Sequence, residues 1–122
     1  MISARSRRVP TSPQKATIVA LLLASCFITP EGVADAMPAT LSVDISRFAF
    51  VPKEVTIAPG TKIVWTNHDE TPHTVTSEDK AFSSKGLVTD DKYEYTFSRE
   101  GDFAYHCTVH PYMTGVVHVR KQ

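Results

Sequence analysis

An excess of either charge is missing from this 122-residue chain, whose 13 Lys+Arg match its 13 Asp+Glu. Following a phosphate backbone takes a basic surplus, so nucleic-acid binding is set aside. Cysteine is scarce, with two in all, which leaves too few for a disulfide framework or an iron–sulfur cluster. Internal repeats, low-complexity tracts, a C-x-x-C-H haem motif and any sustained 3.6-residue apolar period are also absent. No apolar run reaches the roughly 20 residues that a spanning helix needs, so stable membrane insertion is not expected. At 42% hydrophobic and 21% charged residues, the composition is that of one ordinary globular domain.

The chain opens with Arg5, Arg7, Arg8 and Lys15 and no acid before residue 16, followed by an apolar run from Ala16 to Ile28. Pro30 and Gly32 then break the run, and Ala34-Asp35-Ala36 supplies a small-x-small cleavage signal. This order predicts a signal peptide over residues 1–36, cleaved after Ala36, and export of a domain at 37–122 to the periplasm. Leu23-Ala24-Ser25-Cys26 offers an alternative, a lipobox that would anchor the chain through Cys26, but Phe27-Ile28 continue the apolar run where a polar tether is usual. After residue 36 there remain 9 Lys+Arg, 11 Asp+Glu, all five histidines and one cysteine, Cys107. A lone thiol in an exported domain is an anomaly that chemistry has to explain.

What the remaining sequence does carry is a period of two. Leu41, Val43 and Ile45 alternate with polar residues, and the phase slips at Arg47 so that Phe48 and Phe50 take over, which predicts a bulge or bend. Val55 and Ile57 form a short strand closed by a Pro59-Gly60 turn, and Ile63 and Trp65 share a face. Residues 67–72 read as a polar loop, a strand resumes at His73-Thr74-Val75-Thr76, and Ser77 to Gly86 reads as irregular surface. Tyr93, Tyr95 and Phe97 alternate in turn, then Phe103, Tyr105 and Cys107, then Val117 and Val119. Six to eight short strands with almost no helix signal predict an all-β antiparallel sandwich or barrel. So small a domain buries only about 60–65% of its unfolded surface, and an unpaired inward cysteine suggests that a metal adds stability.

Cys107, His110 and Met113 follow one another at steps of three, with Pro111 ending the strand between them. His73 starts a strand straight after a loop and shares phase with the inward Val75. One thiolate, two imidazoles and a thioether make up the donor set of a blue-copper electron-transfer site. Zinc gains little from methionine.

These segments, G-D-F-A-Y-H-C-T-V-H-P-Y-M-T-G-V-V-H-V and T-P-H-T-V, resemble the cupredoxins, the small blue-copper proteins. The C-x2-H-x2-M spacing is similar to that of the amicyanin-like members, and the resemblance covers residues 41 to 120. It implies a Greek-key β-sandwich of about seven or eight strands and one type 1 copper. It also implies His73, Cys107 and His110 as equatorial ligands with Met113 as the axial one, leaving His68, His106 and His118 outside the set. The implied role is that of a monomeric one-electron carrier rather than an enzyme. Redox proteins would dock weakly near His110, a dehydrogenase as donor and a c-type cytochrome as acceptor.

Two positions depart from the family pattern. Many relatives carry Asn after the upstream histidine, where its amide ties the ligand loops together. Here Thr74 stands in that place with a shorter reach, and only its hydroxyl can serve. The amicyanin pattern has Pro where Val109 stands, so an N–H is expected to point at the thiolate, favour Cu(I) and raise the reduction potential. A rival role, copper binding or delivery without electron shuttling, favours an open site rich in thioethers or histidines. Only Met37 and Met113 remain after residue 36.

Overall fold

The computed structural model describes residues 12–13 and 37–122. The cleavage site after Ala36 and the lipobox cysteine Cys26 therefore lie outside the described residues. Eight strands follow in order: β1 (Thr40–Ser46), β2 (Ala49–Val51), β3 (Glu54–Ile57), β4 (Thr61–Asn67), β5 (Thr76–Ser77), β6 (Lys92–Phe97), β7 (Gly101–His106) and β8 (Thr114–Val119). One sheet runs β2-β1-β4-β6 and the other β3-β8-β7-β5, giving the all-β sandwich that the alternation predicts. In β4, Thr61, Ile63, Trp65 and Asn67 all point inward, and the residues between them are half-exposed.

The strand directions differ from expectation. β1 pairs with β4, and β3 with β8, in parallel. Period-two patterning reports which face of a strand is buried and carries no information about the direction of its neighbour. Both parallel pairs arise because the chain leaves the first sheet after β2, adds β3 to the second, and returns for β4.

The phase slip at Arg47 is neither a bulge nor a bend. Ser46 pairs with Ala49, so Arg47 and Phe48 are the two central residues of a hairpin, with φ of 53° and 58°. A two-residue type I′ turn needs both central residues left-handed, and its twist matches that of the flanking strands. A second difference lies between His73 and Gly86. The strand expected from His73 shrinks to β5, with His73 itself in an isolated bridge to Leu87. The stretch read as surface sends Phe82 into the core, where it stacks on Trp65 at 5.8 Å between centroids.

Trp65 is fully buried at the centre of the sandwich, edge-on to Tyr105. Tyr105 in β7 lies directly opposite Gly115 in β8. Any Cβ at residue 115 would stand 2.4 Å from the tyrosine ring, so the glycine is what allows the ring to lie flat over the neighbouring strand.

Candidate metal centre

Cys107 is the residue just after β7, and the alternation that buries Phe103 and Tyr105 carries its thiol inward, fully enclosed. Its amide donates to Met113 O at 3.1 Å, and the Met113 amide donates to His110 O at 2.9 Å. The segment 107–113 thus closes on itself and delivers the chain into β8. Met113, at its closing residue, is buried, while Val109 and Tyr112 are exposed.

His73 reaches the same place from the opposite loop. Asn67, the last residue of β4, is fully buried. Its side-chain amide donates to Thr71 O and Leu87 O, and its Oδ1 accepts from Asp69 N. The His73 backbone then exchanges two hydrogen bonds with Leu87, at 3.0 and 2.7 Å. These bonds tie the corner together, which fixes the imidazole rather than leaving it on a mobile loop.

Cys107 Sγ lies 3.8 Å from His73 Nδ1 and 3.8 Å from His110 Nδ1. Among the described residues, these three form the one group of His, Cys, Asp and Glu side chains whose ligand atoms all fall within 4.8 Å of one another. Donors at this separation suit a single ion with bonds of roughly 2.0–2.3 Å. A buried thiol with no disulfide partner and two converging imidazole nitrogens is a donor set for a soft or borderline metal. The other histidines turn away and pair with carboxylates: His68 with Asp44 at 3.0 Å, His106 with Glu78 at 2.7 Å and His118 with Asp102 at 2.7 Å.

The two loops are tied together across the thiol. Thr74 N donates to Cys107 Sγ at 3.3 Å. The Thr74 hydroxyl accepts from Thr108 N at 2.8 Å and sits 2.9 Å from the Thr108 hydroxyl. The shorter threonine side chain therefore does bridge the loops, because a second hydroxyl meets it halfway. The expectation for Val109 is corrected here, since the backbone donor found on the sulfur is Thr74.

Two neighbours of the site escape sequence reasoning, Asp69 and Phe48. Asp69 Oδ2 lies 2.9 Å from His73 Nε2, and the same carboxylate accepts from Arg47 N and Phe48 N at 2.7 and 2.9 Å. Burial acts to raise the carboxyl's pKa, but the amides of Phe48 and Arg47, together with His73, outweigh it and hold the value below the ordinary one. Since a carboxylate only accepts, Nε2 carries the imidazole proton and Nδ1 keeps the lone pair that faces Cys107. The Phe48 ring stands edge-on to both imidazoles, at 5.2 Å from His73 and 5.1 Å from His110. The one local signal was the Asn67-x-Asp69 pair, which suits an Asx turn.

A family model for copper binding proteins of the plastocyanin/azurin family matches residues 37–120. The chain belongs to this family. The cupredoxin is 33% identical to amicyanin of Paracoccus versutus, over 72% of this chain and 70% of that one. It is 31% identical to plastocyanin of Nostoc punctiforme, over 90% and 89% of the two chains. A purple cupredoxin from Nitrosopumilus maritimus superposes with a TM-score of 0.61 at 31% identity, covering 65% of this chain and 98% of that one. The cofactor of this cupredoxin is a single type 1 copper, and the thiol and imidazoles at the site fit it.

Proposed function

We propose that this cupredoxin is a periplasmic one-electron carrier whose copper would be held by His73, Cys107, His110 and Met113. When bound, the ion supplies a one-electron couple between Cu(II) and Cu(I). The observation that carries the reading is the closed cluster: Cys107 and His73 are fully buried, Met113 is almost so, and the three strong donors converge within 4.8 Å. Four protein donors leave no position for a substrate, which supports electron transfer over enzymatic turnover or copper delivery.

The residues around the site serve that role. Thr74 and Thr108 hold the two ligand loops at fixed separation, and Asn67 fixes the approach of His73, so the donors change position little between oxidation states. His110 is half-exposed, and Phe48, Val109 and Tyr112 surround it with apolar surface. This face is the electron port, where a dehydrogenase donor and a c-type cytochrome acceptor dock weakly. Export follows from the leader reading of residues 1–36; among the described residues, no helix is long and apolar enough to cross a membrane.

Stopped-flow mixing of the reduced protein with an oxidised c-type cytochrome tests the port. Electron transfer that slows markedly in Val109→Asp and Tyr112→Asp is expected. An unchanged rate in both would overturn docking at His110.

A further inference from the structure

The hairpin between β1 and β2 has an unusual composition for its geometry. Arg47 and Phe48 both adopt left-handed backbone conformations, which glycine and asparagine favour and a bulky aromatic residue seldom adopts. Such strain persists only where surrounding structure over-determines it. Here the determinant is one carboxylate. Asp69 accepts the N–H groups of both turn residues and the Nε2–H of His73. Asp69 is in turn fixed by its own backbone: its N–H donates to Asn67 Oδ1, and its carbonyl accepts from Thr89 Oγ1, each at 2.9 Å. The outcome is a phenylalanine ring perpendicular to two imidazoles that are themselves 5.0 Å apart.

We infer that Asp69 is a positioning residue of the copper centre: it fixes the tautomer of His73 and, by clamping the Arg47–Phe48 turn, sets the Phe48 ring against both His73 and His110. The inference rests on the copper reading above. A full negative charge behind His73 strengthens that imidazole as a donor and favours the more positive Cu(II) form. The ring packs edge-on against both imidazoles, against the fully buried His73 and beside His110, which stays half-exposed. Oxidation-state preference and the packing around both imidazoles therefore meet in one side chain that is not itself a ligand.

The test uses the reduced, diamagnetic protein and its potential. In the wild type, the amides of Arg47 and Phe48 should resist hydrogen exchange, and the Phe48 ring protons should show NMR contacts with both imidazoles. In Asp69→Ala, which removes both acceptor oxygens, the protection and the contacts should both be lost. The charge effect is measured in a Phe48→Gly background, where the ring is absent and glycine suits the positive φ. There, Asp69→Asn should raise the reduction potential. Fast exchange of the two amides in the wild type overturns the clamp without any variant, and ring contacts that survive in Asp69→Ala overturn it as well. An unshifted or lowered potential overturns the action on His73. If the copper-loaded wild type lacks blue absorption, the copper reading itself has failed, and that result is separate from all of these.

Discussion

The amide of Thr74 donates to the sulfur of Cys107 at 3.3 Å, across 33 residues of sequence. The same residue's hydroxyl accepts from Thr108 N on the far side of the thiol. One threonine thus serves both loops: its amide makes the shorter contact with the sulfur, and its hydroxyl holds the opposite loop while lying 3.9 Å from the same sulfur.

Replacing Thr74 by valine separates the two roles. The amide stays and the hydroxyl goes, so Thr108 N loses its acceptor. We expect a stability loss of about 1–3 kcal/mol with only a small change in potential, since the hydroxyl's contact with the sulfur, at 3.9 Å, is longer than the amide's at 3.3 Å. Denaturant titration and potentiometry on the same sample check both halves.

Because Thr74 supplies the backbone donor on the sulfur, Val109→Pro should leave the potential close to that of the wild type. A drop near the ~59 mV that equals a tenfold change for one electron would show that the Val109 amide acts on the thiolate after all.

Gly115→Ala places a methyl group within 2.4 Å of the Tyr105 ring. The ring is buried against Trp65 and Phe50 and has little room to retreat. A loss of about 1–3 kcal/mol or more is expected, read from the unfolding midpoint of the copper-free protein. Adding Tyr105→Phe should not restore it, since ring carbons as well as the hydroxyl stand in the way.

Acid stability reports the cluster where the start of β7 meets the end of β8. Hydrogen bonds from His118 and then Arg120 hold the Asp102 carboxyl below its ordinary value. A lowered carboxyl contributes stability above its unfolded value and loses that contribution as pH falls through the folded one. Wild type should therefore exceed Asp102→Asn in stability at pH 5, and the gap should close as pH drops well below about 4. A gap that widens in acid would reverse the assignment.

The parts of this protein that could be read from its sequence are the local ones. Alternation in Ile63 and Trp65, or in Phe103, Tyr105 and Cys107, states directly which side of a strand is buried. The Cys107, His110 and Met113 spacing fits one tight loop whatever surrounds it. His73 was also accessible, because its phase with Val75 points it inward. Contacts made between distant segments left little trace. The parallel pairing of β1 with β4 depends on a crossover through the other sheet, and Phe82 enters the core from a stretch that looks polar. Asp69 lies in a run of polar residues that reads as a solvated loop, yet its carboxylate is spent on three donors from two other places in the chain. Phe48 kept the apolar alternation and so passed for a strand residue, when its role depends on a left-handed turn.

The most direct test of the account is the visible absorption spectrum of the copper-loaded protein, cycled with ascorbate and ferricyanide. The account predicts an intense blue thiolate-to-copper band that bleaches on reduction, returns on oxidation and is absent in Cys107→Ser. A protein that binds copper but stays pale in the oxidised state would contradict it, because Cys107 would then not be a ligand.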